Sequence, residues 1–157
     1  GSFGPGIHAV ASNQIVIGEV GNELGVTHVP QVVSLDHTFA NPVVLVQLLT
    51  FHGTDQVAVR VSDVQSDQFT VALTEPSDLN GIHGVGETIS YLVLEAGNHI
   101  LSDGTKLEVG AFATSATGGK RIANQWETVA FVTPFATTPV ILSHIQTDNT
   151  LPELFVG

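Results

Sequence analysis

An all-β fold, an antiparallel β-sandwich, is what this sequence predicts, on three observations. Short runs of Val, Ile, Leu, Phe and Thr recur roughly every 8–12 residues, the spacing of sandwich and barrel strands. Clusters of Gly, Pro, Asn and Asp punctuate those runs, and helical periodicity is nearly absent. At 157 residues, 43% of them hydrophobic, the chain is long enough to bury a core between two sheets.

The elements follow in order. SNQIVIGEVG reads as a first strand closing at Gly21, and QVVSLDHTF as a second with Val33, Leu35 and His37 on one face. Asn41-Pro42 turns the chain into VVLVQLLTF, an almost continuous apolar run that predicts a central strand. HGTD reads as a hairpin-type turn, because Gly53 is free in φ and Asp55 can bond its own backbone. VAVRV and QFTVALTE then form a pair joined through SDVQSD, with Val57, Val59 and Val61 on one face and Ala58 and Arg60 on the other. A long polar loop, EPSDLNGIHGVGE, leads into the strand TISYLVLEAG. ILSDGTKLEVG is a hairpin with Asp103-Gly104 at its tip, SATGGKR is a loop, and WETVAFVTPF and TPVILSHIQT are two further strands.

An internal repeat runs through these elements. VVSLDHTFANPVVLVQLLT resembles VAFVTPFATTPVILSHIQT, with Phe39 matching Phe135 (135 − 39 = 96) and Pro42 matching Pro139 (139 − 42 = 97). Upstream, Gly18 of IVIGEV matches Gly110 of LEVGAF (110 − 18 = 92). The second copy stops at ELFVG, opposite VAVRV. The chain is therefore read as one sandwich module over 1–157, with a full repeat unit over about 15–108 and the start of a second over about 109–157. A tandem array cut at a convenient point has this form, and so does one sandwich whose last strands close against its first. The GSFGPG start and the lack of methionine lead us to expect a fragment of a longer protein, with Gly1 and Ser2 left from cloning.

Charge narrows the function classes. The net charge is −11, and the cations are only Arg60, Lys106, Lys120 and Arg121. Phosphate backbones are bound by clustered Lys and Arg, so neither nucleic acid nor an anionic membrane surface is an expected partner. No apolar run reaches the ~18 residues of a membrane span, so membrane insertion is not expected. An acidic, lysine-poor, cysteine-free chain rich in Thr, Ser and Gly suits a secreted, extracellular protein.

The candidate site residues gather in the stretch from 57 to 95. The planar fork of Arg60 suits a carboxylate or sugar hydroxyls, or a structural ion pair with Glu75 or Glu87 across the sheet. His83, Glu87 and Tyr91 recur every four residues, but Gly81, Gly84 and Gly86 argue against a helix there. They form either a ligand site, with Tyr91 as stacking ring, or an anchor for the loop. His83, Glu87 and Glu75 offer mixed nitrogen and oxygen ligands without any zinc spacing, so the metal is unknown. Calcium is the candidate cofactor, because Asp36, Asp55, Asp63, Asp67, Asp78 and Asp103 are plentiful, although each sits singly in a turn and reads equally as a turn former. Glu75 and Glu87 are the one carboxylate pair to suggest glycoside hydrolysis; with no nucleophile motif beside them, a non-catalytic protein is expected. Trp126 begins a strand and is either a core plug or a sugar platform.

The order Phe39, Pro42-Val43-Val44, VAVRVSDV, QFTVAL, His83 and YLVLE resembles the H-type lectin domain of discoidins and snail agglutinins. It resembles still more closely the tandem units of large secreted marine-bacterial proteins. The resemblance covers roughly Val32 to Gly97 and, in part, Trp126 to Gly157. QFT stands where the family has Gly-Phe, and no Trp stands in the sugar loop. The resemblance implies a sugar-binding sandwich, often trimeric, whose partner is a polysaccharide or other glycan. Arg60 matches the arginine that ends the sugar-site strand, His83 the histidine of the sugar loop, and Tyr91 the aromatic of the last strand. The expected function is a carbohydrate-binding module of a larger secreted protein, with homo-oligomers among its states. The alternative is a structural spacer repeat of a bacterial adhesin, stabilised by calcium.

Overall fold

The computed structural model describes residues 7–9, 15–76, 79–114 and 127–146. Among the described residues nine strands form: β1 (Ile7–Ala9), β2 (Ile15–Val26), β3 (Gln31–Ser34), β4 (Pro42–Leu48), β5 (Ala58–Ser62), β6 (Gln68–Thr74), β7 (Glu87–Glu95), β8 (Gly97–Ile100) and β9 (Lys106–Val109). One sheet runs β1-β2-β7-β4, a second β3-β6-β5, and β8 pairs with β9 alone. All pairings are antiparallel. The fold is an all-β sandwich.

Strand alternation builds the core. On β6 the burial pattern follows every second residue, so Phe69, Val71 and Leu73 face inward while Gln68, Thr70, Ala72 and Thr74 face out. Val59 and Val61 of β5 and Val33 of β3 join them from the same sheet. Val26, Val44, Ile89 and Val93 meet them from the other sheet, with Phe39 in the same cluster. Two facing apolar rows of this kind are what hold a sandwich together.

Several sequence expectations change. The strand expected to close at Gly21 runs on to Val26, with a register shift between Glu23 and Val26 where Gly25 takes a positive φ of 71°. The reason lies across the ladder: Gly21 pairs with Tyr91, and the Tyr91 ring lies over it. A Cβ at Gly21 would stand 2.3 Å from the Tyr91 hydroxyl and 2.4 Å from Cζ. The glycine therefore supplies space for an aromatic ring rather than a turn. Gly21→Ala is expected to cost about 1–3 kcal/mol through overpacking, and Tyr91→Leu in the same chain should recover most of it. Thermal unfolding checks this; a Gly21→Ala protein as stable as the parent contradicts it.

The apolar run 42–48 is an edge strand rather than the central one, since β4 pairs only with β7 among the described strands. Its apolar character on both faces was misleading. The central position belongs to β7, flanked by β2 and β4. HGTD is not a hairpin turn, because β4 and β5 lie in different sheets and the loop crosses between them. The strand expected through QVVSLDHTF stops at Ser34, where loop 35–41 is taken over by side-chain bonds described below. The β5–β6 pair and the β8–β9 hairpin form as expected, the former through a turn in which Asp63 has a φ of 46°.

The two strands expected in the second copy do not form within 127–146. Trp126 and the loop SATGGKR lie outside the described residues. In place of a strand, Val140, Ile141 and Leu142 stand 89%, 70% and 70% exposed.

Candidate functional site

The two sheets end side by side at Glu75 and Glu87. Glu75 continues the inward row of Phe69, Val71 and Leu73, and Glu87 opens the inward row of Ile89 and Val93. Each therefore places a carboxylate at the end of the core, one from each sheet. The loop between them folds back so that His83 enters the gap. Its Nδ1 lies 3.3 Å from Glu75 Oε1 and its Nε2 3.3 Å from Glu87 Oε1. All three side chains are buried, at 3%, 3% and 1% exposure. A carboxylate oxygen thus faces each ring nitrogen, one from each sheet. The arrangement is a staple of side-chain contacts across the sandwich end.

Glu87 is the better-satisfied carboxylate. It accepts hydrogen bonds from Thr50 Oγ1 at 2.6 Å, from the His52 amide at 2.6 Å and from the Gly53 amide at 3.0 Å. Thr50 Oγ1 in turn accepts from the Thr88 amide at 2.7 Å. Burial raises the Glu87 pKa, but the bonds from Thr50, Gly53, His52 and His83 outweigh burial and hold it at about 2. Glu75 differs: its Oε2 is buried and has no hydrogen-bond partner. The loop comes close because residue 53 is glycine, for a Cβ there would stand 2.3 Å from His83 Cε1. The carbonyl of His83 accepts from both the His28 amide and His28 Nδ1, each at 3.0 Å. Ring and backbone of His83 are thus both fixed.

The pH dependence of the staple follows from the sign of the Glu87 shift. A folded pKa below the ordinary 4.5 favours the folded state most where the carboxylate is ionised in both states. That contribution is present above about pH 4.5 and is lost as pH falls through about 2. Melts across that window are expected to show a fall in stability that Glu87→Gln flattens; an equal fall in both proteins contradicts the assignment.

Arg60 and Tyr91 are not part of this cluster. Arg60 lies on the outer face of its sheet, opposite Ala72, between the inward-facing Val59 and Val61. The cross-sheet pairing of Arg60 with Glu75 or Glu87 is excluded by that geometry, since both acids lie on the inner side. Arg60 has His144 nearby: burial first, and then the charge of Arg60, hold the His144 imidazole below its ordinary pKa. Tyr91 points inward, packing edge to face on Phe69 at 5.4 Å and 74°. It is a partly buried ring packed against the core. Burial and then the Glu19 charge push its hydroxyl pKa up.

The staple belongs to a wider pattern that the sequence reading missed. Among the described residues, four carboxylates each accept two successive backbone amides of a loop. Glu19 takes Asp36 and His37 at 3.0 Å each. Glu87 takes His52 and Gly53, and Glu95 takes Ala40 at 2.7 Å and Asn41 at 2.8 Å. Glu108 takes Val132 at 2.8 Å and Thr133 at 3.3 Å. Such charge-assisted bonds replace the ladder partners that loop amides lack. A signal was available for Glu19, because it shares an inward face with Ile17, where a buried charge demands partners.

Among the described residues no group of three or more His, Asp or Glu side chains is placed to hold a metal ion. Asp103 is a turn former, accepting from the Thr105 amide at 2.8 Å, and Asp78 lies outside the described residues. No helix among the described residues is long and apolar enough to cross a membrane.

Halomucin of Haloquadratum walsbyi is 31% identical to this chain over 94 residues, 55% of this chain and 1% of halomucin. The chain thus spans about one hundredth of the relative it matches. No protein-family model matches the chain. No solved structure matches it. The lectin resemblance therefore rests on the residue order alone.

Proposed function

We propose that this chain is a non-catalytic, structural β-sandwich repeat of a long extracellular protein. The observation that carries the reading is the use made of its acids. Glu75 and Glu87 are buried on either side of the buried His83, and Glu87 is further taken up by Thr50 and two loop amides, so these three side chains present no exposed cluster to a ligand. Similarity to a stretch forming 1% of halomucin agrees with a unit of a much longer protein. With a net charge of −11, the module repels itself, and salt screens that repulsion. Its melting temperature is therefore expected to rise with added sodium chloride and to stay constant when a chelator is added. A melting temperature that falls with salt contradicts the first expectation, and one lowered by chelator restores calcium.

A carbohydrate-binding reading keeps one support, the half-buried Arg60 on the outer sheet face at the position that matches the lectin arginine. A glycan array tests it directly. The structural reading predicts no binder at millimolar sugar; a glycan whose binding is lost in Arg60→Ala overturns it in favour of the lectin.

A further inference from the structure

We infer that residues 129–145 are the opening strand region of a second sandwich, and that a further β5–β6–β7 block of the same repeat type docks on them. This rests on the structural-repeat reading. Three observations point to that occupant.

The first is the clamp. Glu19 holds the amides of Asp36 and His37, and Glu108 holds those of Val132 and Thr133. The clamped pairs are 96 residues apart (132 − 36 and 133 − 37), the same offset that relates Phe39 to Phe135. The equivalent amide pair is thus held by a carboxylate in both copies, although the holding acid differs: the match of Gly18 with Gly110 puts Ala111 at the place of Glu19, and Glu108 comes from the end of the first unit. The second observation is the aromatic. Phe39 is 2% exposed, and its amide donates to Ser66 on the β5–β6 turn at 2.7 Å. Phe135 is only half-buried, stacked edge to face on a 45% exposed Phe131 at 5.1 Å, with no second β5–β6 turn among the described residues.

The third is the apolar row. At an offset of 97, Val140, Ile141 and Leu142 take the places of Val43, Val44 and Leu45, which pair with Leu94, Val93 and Leu92 of β7. In the first unit Val44 is 1% exposed; its counterpart Ile141 is 70% exposed. Three consecutive exposed apolar residues of strand type are an unfinished surface. The docking block is defined by what the first unit uses there. It brings an antiparallel strand of β7 type, whose terminal carboxylate clamps the amides just before Pro139 as Glu95 clamps Ala40 and Asn41.

The test extends the full chain beyond Gly157 with a second copy of residues 61–109, keeping the repeat in phase. Hydrogen exchange of residues 139–145 is expected to slow by about tenfold or more relative to the natural chain, with a fall in anilinonaphthalene sulfonate fluorescence. Exchange as fast as in the natural chain overturns the inference. A second variant guards against an extension that does not fold. Ile141→Lys in the natural chain is expected to leave its melting temperature unchanged, and in the extended chain to remove the added protection. A lower melting temperature of the natural chain with Ile141→Lys assigns 139–145 to the first sandwich and also overturns the inference. Glycan binding by the natural chain would strike the structural reading while leaving the exchange result standing, so the two failures are distinguishable.

Discussion

Glu87→Gln is expected to lower stability by about 3 kcal/mol, roughly 12–20 °C in melting temperature for a sandwich of this size. The carboxylate is the meeting point of Thr50, the His52 and Gly53 amides and His83. Gln keeps the shape but replaces one accepting oxygen with a donor, which then faces donors. Two loops lose their anchor at once, residues 50–53 and residues 76–86, so the cost exceeds that of one hydrogen bond. Asp103→Asn is the matching control, an exposed acid in a turn, expected to leave the melting temperature close to that of the parent. Equal melting temperatures for Glu87→Gln and the control contradict the account.

Phe69→Ala is expected to have the larger effect, about 3–5 kcal/mol. Phe69 is fully buried at the middle of the inner face and packs edge to face on Tyr91 of the opposite sheet. Removing the ring leaves a cavity between two sheets whose strands are held apart by their own ladders, so little of it can close. Against a typical domain stability of about 5–15 kcal/mol, this change alone brings the protein near its unfolding threshold. Chemical denaturation measures it, and a midpoint within error of the parent contradicts the core assignment.

The fold class was legible because strand alternation and turn residues act locally. VAVRV and QFTVALT each declare an inner face, and those faces meet in the core as expected. Strand order was not legible, because it depends on which apolar runs find partners on both sides. VVLVQLL and TISYLVL look alike in hydrophobicity, yet only the second has a neighbour on each edge. The second-copy strands were misjudged for the same reason: sequence gives PVILSHI its strand character, but a strand needs a ladder, and none reaches it among the described residues.

The candidate site was half legible. Glu75, His83 and Glu87 stand out together in the sequence, and in the fold they meet. Arg60 and Tyr91 were grouped with them by order in the chain, yet alternation sends Arg60 to the outer face and Tyr91 into the core. What no spacing rule conveyed is that a carboxylate on an inward row in an acidic protein must be consumed internally. Glu19 and Glu87 follow that rule, and the partly buried Glu95 and Glu108 take paired loop amides in the same way.

The most direct test of the staple is a double-mutant cycle between His83 and Glu87, measured by equilibrium unfolding of His83→Ala, Glu87→Gln and the double variant. A cross-sheet staple predicts a coupling of about 1 kcal/mol or more, so that the double variant is less destabilised than the sum of its parts. Strict additivity of the two single changes would contradict it, leaving His83 as a buried ring that merely sits beside two acids.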